Sequence, residues 1–159
     1  MDFSIILVII LSILPISELR GGIPLGISYA IREGISPLPI IMLSIFSNIL
    51  VIFLAFYFLD RLHKIFLKNK LYNKLFDSYI QKVQKKISKF QNQYAILGFL
   101  ALAIFVAIPL PGTGAWTGVL ISWMLSLDRK RSIISIACGV ILAGIIVSLG
   151  TLGIISVFF

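Results

Sequence analysis

The sequence predicts an all-α integral membrane protein made of two similar halves. Of its 159 residues 59% are hydrophobic and 13% are charged, and the mean hydropathy is +1.08, outside the range of soluble domains of this size. Two uncharged stretches are long enough to cross a bilayer, and two other apolar stretches are interrupted by proline and glycine. We therefore expect an inverted repeat of a re-entrant helix hairpin plus a transmembrane helix.

The first interrupted stretch consists of Phe3 to Leu14 and Ile23 to Ile31, on either side of the motif Pro15 to Gly26. The four apolar arms of this kind in the chain have 9 to 14 residues. Such arms reach about 14 to 21 Å, which is short of the roughly 30 Å hydrocarbon thickness. Non-helical backbone is tolerated at membrane depth only where it is buried or lines a cavity. These features predict a helix hairpin that enters and leaves on one side.

The first uncharged stretch, Pro37 to Leu59, has 23 residues and is expected to be a transmembrane helix. Residues 60 to 94 follow it with nine basic and two acidic side chains, an excess typical of cytoplasmic segments. Aromatic and aliphatic residues recur there at steps of three and four. This spacing predicts a basic amphipathic helix that lies on the inner leaflet and joins the two halves.

The second half repeats the order of the first. Ala95 to Ile108 and Ala115 to Leu127 surround the motif Pro109 to Gly118, and the uncharged Ser132 to Phe159 follows. A re-entrant hairpin returns residues 128 to 131, with a net charge of +2, to the cytoplasm. Both termini then lie outside. The alternative, two broken but complete spans, places these basic residues outside, against the positive-inside rule.

A trace of the repeat survives in the glycines. Gly22 and Gly26 lie 92 residues before Gly114 and Gly118, and the following spans begin 95 residues apart. Inverted repeats place substrate sites near the midplane, between their broken elements. Pairs of small residues are also common where helices pack. We interpret the chain as one membrane domain, with repeats over residues 1–59 and 95–159 and a linker over 60–94.

Glu18 and Arg20 are the charged residues expected inside the membrane, and such residues are functional hypotheses by default. In one interpretation they are structural: Arg20 satisfies free carbonyls at the hairpin tip, and Glu18 caps an amide of the second arm. In the other, Glu18 carries a proton or binds a cation, and Arg20 is its partner or holds an anion.

The other candidate substrate-binding residues offer backbone amides, hydroxyl groups and aromatic surface. Trp116 could stack on a cation or simply fill space. No combination of His, Cys and carboxylate residues suggests a metal site or a cofactor. The candidates besides the charged pair are Gly21, Gly22, Pro24, Pro111, Gly112, Thr113, Gly114, Trp116 and Thr117.

The motif Pro15 to Gly26 (PISELRGGIPLG) and the motif Pro111 to Gly118 (PGTGAWTG) together resemble the signature pair of the small multidrug export protein family. The resemblance covers nearly the whole chain and implies membrane location and transport. The architecture resembles, more distantly, the DedA superfamily of lipid and polyprenyl-phosphate translocating proteins. That superfamily has arginines around its second Pro-Gly turn, whereas none lies near Pro111 here.

We expect a non-enzymatic, proton-coupled transporter in the plasma membrane that moves a small amphiphilic or lipid-like substrate. A DedA-like flippase or scramblase of phosphate-bearing lipids is one alternative, and an assembly factor acting through the basic helix is another. An intramembrane enzyme is disfavoured because the embedded segments lack a nucleophile with a base. Membrane lipids are expected partners, a homodimer is a candidate assembly, and nucleic acid is not expected because headgroups are the nearer anions.

Overall fold

The computed structural model describes residues 3–66 and 94–158, and within these ranges the secondary structure is entirely helical. The remainder of the predicted amphipathic linker, residues 67–93, lies outside the described residues. The six described helices are α1 (Phe3–Ile13), α2 (Glu18–Arg32), α3 (Leu38–Phe66), α4 (Tyr94–Ala107), α5 (Ala115–Met124) and α6 (Arg129–Phe158).

The two long helices confirm the two expected spans. Leu38–Ile65 and Arg129–Val157 are each long and apolar enough to cross a membrane. Both helices extend beyond their apolar stretches. At its end α3 continues past Leu59 into the basic segment, and α6 begins before its apolar part because the Asp128 carboxylate caps it, accepting the amide of Arg131 at 2.9 Å.

The first pair, α1 and α2, is antiparallel and lies along the beginning of α3. Gly22 packs against Ser12, and Gly26 against Val8 and Ile40. These glycines are needed because a Cβ on Gly22 would come within 2.0 Å of the Ser12 hydroxyl oxygen. The turn of the first pair therefore lies beside the middle of α3.

The expected break between the arms of the first pair, residues 15–22, is longer than the observed one. Only residues 14–17 separate α1 from α2, and α2 includes Gly21, Gly22, Pro24 and Gly26. A proline within a helix removes a single backbone hydrogen bond, whereas a helix satisfies most of the others without water. The second break is also shorter than its motif, since α5 begins at Ala115.

The second pair, α4 and α5, lies along the beginning of α6. The Ser135 hydroxyl donates to the carbonyl of Phe99, and Gly139 packs against Ala103, so α4 and α6 run in the same direction. α5 then returns to the end where α6 begins. The connection between α4 and α5, residues 108–114, consequently lies beside the middle of α6.

The end of α3 meets the end of α5 and the beginning of α6. The Asp60 carboxylate accepts the indole N–H of Trp123 at 3.1 Å and the guanidinium of Arg129 at 2.8 Å. The Arg129 guanidinium also lies over the ring of Phe56, 4.6 Å from its centre. This cluster holds residues 60 and 129 at one end of the molecule.

The halves are interlocked, since α2 packs on α6, α5 packs on α3, and the two long helices touch. Large apolar side chains are exposed along the outer faces of the long helices, including Phe53 and Leu149, as suits contact with lipid. The core between the halves includes Ile23, Ile27, Ile52, Val119 and Ile136, all fully buried.

Gly139→Ala should destabilise the fold because the new Cβ would lie 2.6 Å from the backbone oxygen of Ala103 and 2.7 Å from Cβ of Val106. We expect a loss of about 1–3 kcal/mol in the free energy of unfolding in detergent. Gly153→Ala is the matched control on the same helix, since its Cβ meets nothing within 4 Å. Equal stability of the two variants would contradict this packing.

Candidate functional site

The Glu18 carboxylate joins the two halves. Glu18 is the first residue of α2, and its side chain is buried, with 5% of the residue exposed. One carboxylate oxygen accepts the amide of Ala115 at 3.1 Å, and the other accepts the amide of Trp116 at 3.3 Å. These are the first two residues of α5. A side chain of the first pair thus caps a helix of the second pair.

This arrangement follows from what α5 lacks. The first amides of a helix have no intrahelical acceptor and carry partial positive charge. The residue before α5 is Gly114, which has no side chain to cap them. Its φ of +143° suits glycine, and a Cβ there would lie 1.9 Å from a Glu18 oxygen. Gly114 therefore lets the carboxylate approach and leaves the capping to it.

Arg20 satisfies the opposite kind of backbone group. Its guanidinium donates to the carbonyl oxygen of Thr113 at 2.6 Å. The Thr113 hydroxyl lies 2.5 Å from the carbonyl oxygen of Ile108 and 2.8 Å from that of Leu110, which holds the connection in shape. Within residues 3–66 and 94–158 no ion pair joins Glu18 to Arg20. Each of the two side chains hydrogen-bonds to the second pair.

Trp116 makes the reciprocal contact. Its indole N–H donates to the carbonyl of Ile13, the last residue of α1, at 2.9 Å. Its ring meets Phe58 edge to face, with 6.5 Å between the centres. Residues 13–20 and 108–116 therefore satisfy one another's backbone, and we call this meeting place the junction.

A small cavity lies at the junction, with room for about one water molecule. Its polar lining comes from Glu18, Arg20, Asn48, Thr113 and Gly114, and its apolar walls come from α4 and α6. Of the residues that line it, Glu18 and Arg20 carry charge. Such a cavity can hold a solvent molecule or a proton path, and a larger ligand requires the halves to separate.

The structure places the other candidate residues around this cavity or away from it. The amide of Gly21 donates to the carbonyl of Ser17 at 3.2 Å, and Thr117 donates to the carbonyl of Gly114 at 3.2 Å. Gly22 and Pro24 lie within α2 and outside the cavity lining. Pro111 and Gly112 are exposed on the connection.

Asn48 is a site residue outside the candidate substrate-binding residues predicted from the sequence. Its side-chain amide joins α3 to α1, donating to the carbonyl of Ser12 at 2.7 Å. The side chain also lines the cavity and interacts with the Glu18 carboxylate. Its signal in the sequence is a lone amide within an uncharged span. Ser12 had no comparable signal, because serine is common in membrane helices.

Within the described ranges, no three His, Cys, Asp or Glu side chains are grouped so as to hold a metal ion. The polar side-chain groups described at the junction include the carboxylate of Glu18, the guanidinium of Arg20, the amide of Asn48, the hydroxyl of Thr113 and the indole N–H of Trp116.

Long apolar helices around a buried, charged junction define a helical membrane protein. Residues 18–146 match the family described as "Putative small multi-drug export protein", and the chain belongs to this family, whose name denotes membrane transporters. The matched region begins at Glu18 and therefore contains both the capping carboxylate and the two α5 amides that it accepts. No curated protein and no solved structure shows a significant match to the chain.

Gly114→Ala should destabilise the protein more than Gly112→Ala. Both glycines have positive φ, +143° and +87°, so alanine is strained at each by about 1–3 kcal/mol, and the φ of +143° and ψ of −166° at Gly114 belong to a region that is essentially confined to glycine. Only at Gly114 would the Cβ also meet Glu18, because the space around Gly112 is open to 4 Å. Thermal unfolding in detergent would measure the difference.

A double-mutant cycle tests the cause of that difference. In a Glu18→Ala background the difference between Gly114→Ala and Gly112→Ala should become smaller, since no carboxylate is left to displace and only the difference in backbone strain remains. An unchanged difference would show that the contact with Glu18 is not responsible.

Proposed function

We propose that the protein is a proton-coupled exporter of a small amphiphilic or lipid-like molecule, and that the junction is its transport site. The observation that carries this proposal is the buried Glu18 carboxylate, which holds the halves together through two amides beside a cavity. An ionisable residue in such a place is costly, which favours a functional role.

The architecture supports alternating access. Each helix pair returns to the end from which it started, and its turn lies beside the middle of a long helix, as in a re-entrant hairpin. The contacts are exchanged between halves in equivalent fashion, with α2 on α6 and α5 on α3. In the proposed mechanism the two halves act as an inverted repeat, in which one hairpin moves against the other around a midplane site.

Protonation of Glu18 supplies the coupling. The carboxylate accepts two backbone amides as charge-assisted hydrogen bonds. A bound proton removes the charge and one of the acceptor positions, so the attachment of α5 weakens. The halves can then separate and admit a substrate too large for the closed cavity. Loss of the proton restores the cap and closes the junction.

Translocation of phosphate-bearing lipids is a second candidate, favoured by the position of Arg20. When the junction opens, its guanidinium would lose the carbonyl of Thr113 and could pair with a phosphate oxygen. The exposed apolar faces of the long helices support lipids as partners in either case. A guanidinium can donate two parallel hydrogen bonds to two oxygens of one phosphate, whereas a lysine at position 20 could not.

Glu18→Gln should abolish proton coupling. In liposomes loaded with a pH indicator, a panel of lipophilic cations and labelled lipids would identify a substrate whose movement drives proton flux. We expect the variant to lose that flux at least tenfold, because glutamine can still accept an amide but cannot take up a proton.

Glu33→Gln is the matched control, because Glu33 is an exposed residue directly after α2. The substitution makes the same chemical change outside the junction. It should retain the flux of the unmodified protein. Full coupled flux in Glu18→Gln would overturn the proposed mechanism.

The re-entrant topology can be tested by cysteine labelling. In a Cys138→Ser background, Ser36→Cys should react with an impermeant thiol reagent added outside cells, and Lys130→Cys should not. Both positions are exposed in the structure, so a difference would reflect the side of the membrane. Labelling at position 130 from outside would favour two broken, complete spans.

A further inference from the structure

Two buried oxygen atoms on α3 have no hydrogen-bond partner among the described residues. They are the hydroxyl oxygen of Ser44 and the side-chain oxygen of Asn48, and both residues are 0% exposed. Buried polar groups in native proteins are nearly always satisfied, by protein or by ordered water. Two such atoms one helical turn apart therefore point to a common, missing partner.

The two residues share one face of α3. Ile40, one turn earlier, packs against Gly26 of α2, and Asn48 donates to the carbonyl of Ser12 on α1. Steps of four residues keep side chains on the same face, so Ser44 lies between these contacts and faces the first pair. This face extends from near the beginning of α3 to the junction.

At Asn48 this face of α3 reaches Glu18. The side-chain N–H group of Asn48 donates to the carbonyl of Ser12 and interacts with the Glu18 carboxylate. The side-chain oxygen of Asn48, which has no partner among the described residues, belongs to the same cavity-lining side chain. Ser44 and Asn48 are separated by a rise of about 6 Å along the helix. One or two water molecules, with hydrogen bonds of about 2.8 Å, cover that distance.

The opposite direction along α3 is closed to water. Beyond Asn48 the buried face carries Val51, Ile52 and Ala55, all at most 1% exposed. These side chains offer no donor or acceptor to a water molecule. Toward the beginning of α3 the same face ends at Ile40, which is 6% exposed and packs with Val8 and Ala30. The polar pair is therefore bounded by apolar side chains in both directions along α3, and its contact with a cavity is at Asn48.

We propose that Ser44 and Asn48 line a short water path that opens on the cavity and delivers protons to Glu18. This rests on the proposed function and names the groups that relay its coupling ion. A proton passes from a hydronium ion that reaches the opened junction, through the bridging waters, to a Glu18 carboxylate oxygen, and a water molecule is left behind. Arg20 is the other charged group facing the cavity, and the contacting parts of α1, α4, α5 and α6 add none.

Two substitutions at Asn48 separate a water path from packing. Asn48→Leu keeps the volume but offers no polar atom, whereas Asn48→Ser loses volume but leaves room and a hydroxyl for water. Both lose the bond to Ser12. We expect coupled proton flux in liposomes to fall at least tenfold in Asn48→Leu and less than threefold in Asn48→Ser. A purely structural role predicts the reverse order.

Ser44→Ala should lower coupled flux about three- to tenfold. Its matched control is Ser122→Ala, because the buried Ser122 hydroxyl is already satisfied by the carbonyl of Val119 at 2.9 Å. This control should stay within twofold of the unmodified protein. Substrate exchange at equal pH on both sides, which needs no net proton movement, should persist in Ser44→Ala.

The outcomes are distinguishable. Coupled flux in the unmodified protein together with full coupled flux in Asn48→Leu would overturn the path and leave the proposed function standing. Loss of exchange as well as coupled flux in Ser44→Ala would show a structural role and also overturn it. If the unmodified protein shows no substrate-coupled proton flux, the proposed function fails and the path fails with it.

Discussion

Every backbone amide and carbonyl within a membrane needs a partner inside the protein, and the rest of this structure depends on that constraint. The chain interrupts two helices where no water is assured, which creates unsatisfied groups at both interruptions. Its solution is to place the interruptions against each other. Glu18 accepts amides of α5, Arg20 donates to Thr113, and Trp116 donates to Ile13. The association of the halves is thus a consequence of their breaks.

This constraint explains why the two motifs are chemically unequal. The first supplies one anion and one cation, and the second supplies glycines, which allow close approach and leave backbone groups accessible. If the second motif also carried a charged side chain at the junction, one of the charged groups would have no backbone group to bind. The structural and the functional interpretations of Glu18 are therefore compatible, because the carboxylate that joins the halves is also the group whose protonation would release them in the proposed mechanism.

Much of this fold could be predicted from the sequence because hydrophobic length and charge act locally. The spans at α3 and α6 follow from uncharged stretches, and the breaks follow from proline and glycine. The extent of the breaks could not be predicted, since Pro24 lies within a helix that its surroundings stabilise. The partners of Glu18 were equally hidden, because Ala115 and Trp116 bind through backbone groups that every residue possesses, 97 and 98 residues away.

The backbone of Glu18 itself has a φ of +45°, a left-handed conformation that costs a non-glycine residue about 1–2 kcal/mol. Glycine at position 18 would avoid this conformational cost but would lack the carboxylate. The backbone conformation therefore favours glycine, whereas the capping of α5 requires glutamate. The hydrogen bonds of the cap compensate for this unfavourable conformation in the closed junction. In the proposed mechanism, loss of the cap would let residue 18 relax toward right-handed helix, and the release of this backbone strain would favour opening.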